Sequence, residues 1–257
     1  MKSVTILRTE GLTKRFGGLV ALNNLNVEME ENIIIGLIGP NGSGKTTFIN
    51  TVTGVYKPDS GQIYFKGKPI GGLEPHAVAR EGIARTYQRI RLFERMTVLQ
   101  NVMVGSHIWY RSNILDVLRG SKHLQEEEER HKEKALELLE LVGLRDKADS
   151  LPGSLPYGHR RKLEIARALA IEPSFLLLDE PAAGMNREEF LELQGLILRL
   201  KAEGITILLV EHTMELVESV VDHVIVVNFG QKLAEGSFKA IQQDKNVIEA
   251  YLGKEEL

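Results

Sequence analysis

Cysteine is absent from the 257-residue chain, so neither a disulfide bond nor a thiolate metal site can form. An excess of basic residues is also missing, because 32 Lys and Arg stand against 35 Asp and Glu, a formal net charge of −3. A protein whose main partner is nucleic acid usually carries a basic field. We therefore do not expect nucleic acid as the principal partner, although a local basic patch remains open.

Long apolar runs are lacking as well. No stretch approaches the roughly 18 to 20 consecutive apolar residues that cross a bilayer, and residues 1–15 mix charges into every short apolar run. We therefore expect neither a membrane span nor a secretion signal, so work at a membrane would require docking onto another chain. With 43% hydrophobic and 26% charged residues, the composition suits one α/β domain with an appended lobe.

A glycine-rich stretch fits the phosphate-binding pattern G-x-x-x-x-G-K-[ST] at every constrained position. Its residues are Gly39, Pro40, Asn41, Gly42, Ser43, Gly44, Lys45 and Thr46, and Thr47 follows directly. The apolar run Ile33 to Ile38 precedes it, which is typical of a strand buried on both faces of a parallel sheet. The pattern predicts a helix over Thr46 to Thr53 after the loop. This context disfavours the alternative, a glycine-rich turn that matches by accident.

Binding of a nucleoside triphosphate requires residues of these types. Glycines let the backbone approach, and N–H groups of the loop and of the helix N-terminus bind phosphate oxygens. Lys45 adds a positive charge, and the Thr46 hydroxyl is suited to Mg²⁺ that bridges the outer phosphates. The sequence therefore predicts binding of ATP and Mg²⁺ at this loop.

The remainder of the chain divides by its periodicity. Val4 to Phe16, Leu25 to Met29 and Gln62 to Lys66 are predicted strands of an antiparallel flap. From about Gln88 to Arg167 strand signals are absent and helical periodicity dominates. We therefore predict a nucleotide-binding core of residues 1–87 and 168–257 that includes the antiparallel β subdomain, and an inserted helical subdomain of residues 88–167.

Several helix ends have recognisable capping residues. Thr97 with Gln100 and Asn186 with Glu189 form predicted capping boxes, and Asn246 with Glu249 is expected to cap a last short helix. Gly143 ends a long charged helix from Gln125 to Val142. Residues 107–123 have no clear assignment, and their apolar side chains are open between a satellite core and a docking surface.

Polar side chains with catalytic potential follow two predicted strands. Phe175 to Leu178 is followed by Asp179 and Glu180, at the strand end where open α/β sheets bind ligands. Asp179 is predicted to hold Mg²⁺ and Glu180 to orient or deprotonate the attacking water. His212 follows the strand Ile205 to Val210, where an imidazole N–H would reach the γ-phosphate; a structural histidine is the alternative.

Gln88 stands at the boundary between the two predicted parts of the chain. Its side-chain amide carries both a donor and an acceptor, so it is suited to contact both the metal and the attacking water. By itself a glutamine at this place would carry no functional signal. We predict a catalytic and metal-contacting role for Gln88 because it stands between the phosphate loop and the Asp179-Glu180 pair.

The order of these motifs resembles the ATP-binding subunit of an ABC transporter over essentially the whole chain. The matching features are the phosphate loop, Gln88, the segment Leu155 to His159, the strand ending in Asp179-Glu180, and His212. The stretches Leu155 to Leu169 and Asp179 to Asn186, and the endings Leu233-Ala234-Glu235-Gly236 and Ala250-Tyr251-Leu252-Gly253, resemble the branched-chain amino acid uptake branch.

The resemblance implies an α/β P-loop NTPase (RecA-like) fold, with a parallel-sheet core, an antiparallel β subdomain and an inserted α-helical subdomain. It implies an ATPase at the cytoplasmic face of the membrane that drives import with transmembrane permease subunits, a second ATP-binding subunit and, indirectly, an extracytoplasmic binding protein. Phe16 would stack on adenine, with plain strand core as the alternative. Leu155, Tyr157, Gly158 and His159 would contact ATP held by the second subunit.

One departure from the family pattern concerns this last segment. The broad family has L-S-G-G-Q where this chain has Leu155-Pro156-Tyr157-Gly158-His159, so a hydroxyl is lost and Pro156 has no N–H. The Gly158 N–H remains as a donor toward the partner's γ-phosphate, and the helix dipole still attracts that anion. Fewer donors at the transferred group should slow the site that this segment completes. We therefore expect a heterodimer with a partner whose segment is intact.

Two other classes of function compete with transport. A soluble ABC-type ATPase acting on nucleic acid or ribosomes is suggested by Arg85, Arg89, Arg91 and Arg95 and by Arg160-Arg161-Lys162. DNA-repair relatives carry a long coiled-coil insert, which is absent from this sequence, and ribosomal relatives usually fuse two ATPase domains. A P-loop kinase or GTPase would have no use for the Leu155 segment and would need an acceptor site or a guanine-reading motif that the sequence does not show.

Overall fold

The structure is a computed structural model that describes residues 4–110 and 122–252. The strands are β1 (Thr5–Phe16), β2 (Leu19–Glu30), β3 (Ile34–Ile38), β4 (Ser60–Phe65), β5 (Lys68–Pro69), β6 (Ile83–Arg85), β7 (Phe175–Asp179), β8 (Thr206–Val210), β9 (His223–Asn228) and β10 (Gln231–Gly236). The α-helices are α1 (Lys45–Val52), α2 (Pro75–Arg80), α3 (Val98–Gly105), α4 (Lys122–Leu141), α5 (Tyr157–Leu169), α6 (Arg187–Ala202), α7 (Met214–Val220), α8 (Phe238–Gln242) and α9 (Lys245–Leu252).

The central sheet places the predicted site at one edge. Its strand order is β10-β9-β3-β8-β7-β6, and all neighbours are parallel except the antiparallel pair of β9 and β10. The carboxyl ends of β3, β6, β7 and β8 therefore lead into the phosphate loop, Gln88, Glu180 and His212 on the same side of the sheet. Side chains of β3, β7 and β8 are buried throughout, as expected for strands covered on both faces.

A second sheet has the antiparallel order β2-β1-β4-β5 and confirms the predicted flap. Strand β2 begins at Leu19 rather than Leu25, because β1 and β2 pair, with several register shifts, as far as the turn at Gly17 and Gly18. The short strands β6 and β10 were not predicted from sequence. Three residues of β6 are too few to show a period, and β10 is an edge strand with no buried side chain to mark an alternation.

Helices α3, α4 and α5 pack on one another beyond β6 and share an apolar core. The capping boxes of Thr97 with Gln100 and of Asn186 with Glu189 are confirmed, and Gly143 follows α4 with a positive φ of 73°. The predicted boundary between core and helical subdomain, at residues 167–168, falls inside α5. That division remains a prediction.

One predicted cap is wrong. Asp244, not Asn246, accepts the backbone N–H groups of Asn246 and Val247 at the start of α9. Both residue types are good caps, and the aspartate stands just before the helix, where the cap belongs. Most of the unassigned segment 107–123 lies outside the described residues. Among the described helices, none is long and apolar enough to cross a membrane.

Candidate nucleotide-binding site

A cavity of about 450 Å³ opens above the phosphate loop. It is lined by Phe16, Leu19, Val20, Ala21, Asn41, Gly42, Ser43, Gly44, Lys45, Thr46, Thr47, Gln88, Glu180, Val210, His212 and Phe229. Predicted site residues from five separate parts of the chain thus converge on one space. Gly39 and Pro40 lie behind the loop, where their carbonyl oxygens accept from the Lys45 side chain.

The phosphate loop depends on glycine at two places. Gly39 has φ 152°, and a Cβ there would lie 2.0 Å from the Val227 carbonyl oxygen. Gly44 has φ 112° and is the N-cap of α1, and a Cβ there would lie 2.6 Å from the Ala21 carbonyl oxygen. Within the described residues no side chain caps α1, so its first-turn N–H groups point into the cavity region as donors for an anion.

Lys45 is buried at the base of the cavity. Its Nζ donates to the carbonyl oxygens of Gly39 at 2.6 Å and Pro40 at 3.0 Å. Burial lowers the pKa of Lys45 below its usual value, and the carboxylates of Glu180 and Asp179 oppose that decrease. The ammonium group is thus held by neutral carbonyls that a phosphate oxygen would replace.

Glu180, Gln88 and His212 are in direct contact. The Gln88 side-chain nitrogen donates to Glu180 Oε2 at 2.7 Å, and His212 Nε2 lies 3.2 Å from Glu180 Oε1. Glu180 has φ +47°, a left-handed conformation that costs a non-glycine residue about 1–3 kcal/mol. Its own N–H donates to the Val210 carbonyl at 2.8 Å, which holds this backbone against β8. The carboxylate is therefore fixed toward the cavity.

Asp179 is buried beneath the cavity, and it is not among the described residues that line it. Its Oδ2 accepts from Arg85 Nη2 at 2.9 Å, and Arg85 Nη1 donates to Asn50 of α1 at 2.5 Å. Sequence reasoning had considered Arg85 only as part of a basic patch. Arg85 thus bonds one of the two carboxylate oxygens of Asp179.

Glu211 is a buried carboxylate that sequence reasoning missed. Its Oε1 accepts from the Ala182 N–H at 2.9 Å, and its Oε2 accepts from the N–H groups of His212 at 3.1 Å and Thr213 at 3.2 Å. These bonds join the loop after β7 to the loop after β8 and so fix the place of His212. The available signal was an acidic residue directly after an apolar strand.

Phe16 lies at the cavity rim with 42% of its surface exposed. Its ring meets Tyr56 edge to face at 5.1 Å, and the Lys14 ammonium lies 5.6 Å from its centre. That exposure contradicts the alternative of plain strand core. Sequence analysis did not identify Tyr251 of α9 as a neighbour of the phosphate loop. Burial raises the pKa of Tyr251, and a hydrogen bond with the Gly39 backbone opposes the rise.

The segment Leu155 to His159 lies apart from this cavity, since none of its residues, all described, lines it. Leu155 is buried, Tyr157 is 42% exposed, and Pro156 is the N-cap of α5. The Gly158 N–H, expected to remain available to a partner's phosphate, instead donates to Glu189 Oε1 at 2.9 Å. A Cβ at Gly158 would lie 2.7 Å from Glu189. Because Glu189 occupies this N–H, the N-terminus of α5 has one open donor fewer than predicted from sequence.

Comparison with known proteins gives a consistent result along the chain. The family model described as "ABC transporter" matches residues 22–183, and that described as "Branched-chain amino acid ATP-binding cassette transporter" matches residues 231–256. The chain is 44% identical to the high-affinity branched-chain amino acid transport ATP-binding protein BraF of Pseudomonas aeruginosa, over 97% of this chain and 98% of that one. It is 42% identical to LivG of Escherichia coli, over 98% and 99%.

Solved structures agree with this similarity. A nucleotide-free ATP-binding cassette from an ABC transporter superposes with a TM-score of 0.85 and 37% identity, covering 97% of this chain and all of that one. The ADP conformation of a second such cassette gives a TM-score of 0.84 and 38% identity, covering 97% and 99%. The α/β P-loop fold predicted from sequence is therefore confirmed.

Proposed function

The chain belongs to the ABC transporter family of ATP-binding subunits and is an ATPase, and we propose that it drives import of branched-chain amino acids from the cytoplasmic face of a membrane. The proposed solute is supported by the names of relatives that match over nearly the whole chain and by the C-terminal family model. The single observation that carries the catalytic part is the contact of Glu180 with both Gln88 and His212 above the phosphate loop.

In the proposed reaction each contacting group has a separate task. Glu180 orients the attacking water and accepts its proton, since its carboxylate is fixed toward the cavity. Gln88 holds that carboxylate, and the His212 imidazole contacts the γ-phosphate. Lys45 exchanges its two carbonyl partners for phosphate oxygens, with the α1 N-terminus binding alongside it. Phe16, at the rim, stacks on the adenine base.

Residues at the cavity and beneath it also suit Mg²⁺. Oxygen donors are what this ion prefers, and it commonly binds one or two protein side chains together with phosphates and waters. Thr46 supplies a hydroxyl, Asp179 the carboxylate oxygen that Arg85 leaves open, and Gln88 its amide oxygen, because the amide nitrogen bonds Glu180. Mg²⁺ held there would neutralise charge on the outer phosphates.

The proposed permease contact is an apolar groove beside Gln88. It measures about 820 Å³, and its lining includes Val55, Tyr87, Leu92, Phe93, Ile108 and Ile171. Phe93 exposes 46% of its surface, which favours a protein partner. The groove reaches the segment that carries Gln88, so a permease element seated there would act next to Glu180.

The nucleic-acid alternative loses much of its basic surface. Arg85 pairs with buried Asp179, and Arg160 donates to the carbonyl oxygens of Leu155 and Gly153. Arg161 is fully buried, and Lys162 pairs with Glu192. These residues have intrachain partners in place of phosphates, so transport is favoured.

We further propose a heterodimer in the working transporter. Pro156 lacks an N–H and the Gly158 N–H is bonded to Glu189, so the N-terminus of α5 offers few donors to ATP on a second subunit. A partner with an intact segment would complete this chain's own ATP site normally. An extracytoplasmic binding protein would contact the permease and not this chain.

Reconstitution tests this proposal. The complex is purified through a tag on this chain, inserted into vesicles with its membrane subunits, and supplied with the binding protein and labelled leucine. We expect ATP-dependent leucine uptake that disappears with Glu180→Gln. ATP-dependent uptake of another solute class, but not of leucine, would refute the proposed substrate. Copurification with ribosomes in place of permeases would refute the proposed import. Equal uptake with this chain as the sole ATPase would refute the heterodimer.

A further inference from the structure

A buried ion pair lies on α5, away from the cavity. Arg161 has 0% and Glu164 1% of their side-chain surface exposed, and Arg161 Nη1 lies 2.7 Å from Glu164 Oε2. Burial raises the pKa of Glu164, and the adjacent Arg161 opposes that rise. A folded protein tolerates buried charges when additional hydrogen bonds offset the cost of removing them from water. The partners of this pair are therefore informative.

The pair binds the backbone of two consecutive residues. Arg161 donates to the Tyr87 carbonyl at 2.6 Å through Nη1 and to the Gln88 carbonyl at 2.9 Å through Nη2. Glu164 Oε1 accepts from the Tyr87 N–H at 3.3 Å. One turn of α5 thus fixes three backbone groups of the Tyr87-Gln88 segment, which lies in the loop after β6.

That segment has a direct connection to the catalytic carboxylate. The Gln88 side chain donates to Glu180 at 2.7 Å, so a shift of its backbone would alter this contact. Arg161 also stands one turn after Gly158, at the N-terminus of α5. A single rigid helix therefore joins the end that faces a second subunit to the backbone of Gln88.

We infer that Arg161 and Glu164 form a positioning pair that holds Gln88 against Glu180. The inference rests on the proposed roles of Gln88 and Glu180. Purely structural packing of α5 is the competing explanation. It predicts general destabilisation on mutation, without a local change at Gln88.

The test compares Arg161→Met, Arg161→Lys and Glu164→Gln with Lys162→Met in the full-length chain. Lys162 is the matched control, because it is a largely buried cation on the same helix that pairs with Glu192 on α6 and not with the Gln88 segment. Hydrogen exchange of the Tyr87 amide reports the proposed contact directly. Steady-state hydrolysis gives kcat and KM for ATP.

We expect Arg161→Met and Glu164→Gln to speed exchange at Tyr87 by about tenfold or more, while exchange in α1 and β7 stays unchanged. We expect Arg161→Met to lower kcat by about 10- to 100-fold with KM for ATP within about twofold, because misplacing a catalytic group leaves nucleotide binding intact. Arg161→Lys should restore part of kcat. Lys162→Met should leave both Tyr87 exchange and kcat near wild type.

Unchanged exchange at Tyr87 in both Arg161→Met and Glu164→Gln would overturn the inference, whatever the turnover. Full kcat despite fast Tyr87 exchange would also overturn it. Glu180→Gln separates this failure from failure of the proposed function. If Glu180→Gln still hydrolyses ATP, the assignment of the base is wrong; if it does not while Arg161→Met does so at full rate, only the positioning pair is refuted.

Discussion

Two helix N-termini in this molecule are proposed to face phosphate, and they differ in what already occupies them. At α1, a glycine N-cap and the absence of any capping side chain among the described residues leave the first-turn N–H groups open to the cavity. At α5, the N-cap is Pro156, and the Gly158 N–H donates to Glu189. The first end is a preformed anion site. At the second, the Gly158 N–H is already bonded within its own chain.

The dipole of α1 faces the cavity, whereas the dipole of α5 faces the Glu189 carboxylate. At α1 an approaching phosphate replaces neutral partners of Lys45, which are the carbonyl oxygens of Gly39 and Pro40 and the Ser43 hydroxyl. At α5 it would have to displace or share the N–H with a carboxylate, and that carboxylate also accepts from Asn186 at 3.1 Å. Binding at α1 should therefore be strong in the isolated chain, whereas binding at α5 should need the favourable contacts of a second subunit.

Glu180→Gln is expected to have the largest effect. Replacing the proposed base with an isosteric amide should slow ATP hydrolysis by about 10²- to 10⁴-fold, because general-base catalysis contributes about that much. ATP binding at α1 should be retained, since the phosphate loop is unchanged. Turnover and nucleotide binding are measured on the same preparation, with Glu203→Gln as control, because Glu203 is an exposed carboxylate at the C-terminal end of α6. Near-normal turnover would mean that another group accepts the proton.

Lys45→Met should weaken ATP binding by about 10- to 100-fold, because a charge-assisted hydrogen bond is worth about 1.5–3 kcal/mol. Lys57→Met is the matched control, since Lys57 is an exposed lysine paired with Glu74. Titration calorimetry measures both variants. Equal affinity in Lys45→Met and wild type would show that α1 holds phosphate without the ammonium, and the comparison between the helix ends would then rest on N–H groups alone.

Phe16→Ala tests the base-stacking side of the cavity at α1. Loss of one aromatic stacking contact, about 0.5–1.5 kcal/mol, predicts ATP binding about 2- to 12-fold weaker. Phe229→Ala serves as control, because Phe229 lines the same cavity and is 78% exposed. If only Phe229→Ala weakened binding, the adenine would have to be assigned to the Phe229 side.

Glu189→Gln sharpens the comparison at α5 and should have the smallest effect. Glutamine is accepted at this position of a capping box, so α6 should remain capped, while the negative charge facing Gly158 disappears. In the assembled transporter we expect the Kd for ATP-driven dimer closure to fall by about 2- to 5-fold, since weak charge terms at helix ends are worth about 0.3–1 kcal/mol. Glu188→Gln is the control. Weaker closure in Glu189→Gln alone would show that Glu189 assists the partner's ATP.

The parts of the site that sequence predicted are those that the chain encodes locally. The phosphate loop is continuous from Gly39 to Thr46, and Glu180 and His212 directly follow apolar strands, so pattern and chain order sufficed to bring them to one sheet edge. Their convergence with Gln88 on one cavity is seen only in the fold, because β6, the short strand that leads to Gln88, was not predicted from sequence.

The parts that sequence missed depend on burial and on partners distant in the chain. Arg85 and Arg161 were assigned to a basic surface, yet one bonds Asp179 and the other is fully buried against backbone carbonyls of residues 87–88. A charge count does not distinguish a solvated arginine from one that satisfies buried acceptors. The Glu189 contact was missed for the same reason, because it joins two helix ends that pack only in the fold.

Calorimetric titration of the purified full-length chain with ATP, with and without Mg²⁺ and without any partner subunit, tests the central claim most directly. The account predicts one ATP bound per chain, tighter with Mg²⁺, because the phosphate-loop side of the site lies within one chain. If the chain bound no ATP, or bound ATP only when a second subunit was present, the account would be contradicted.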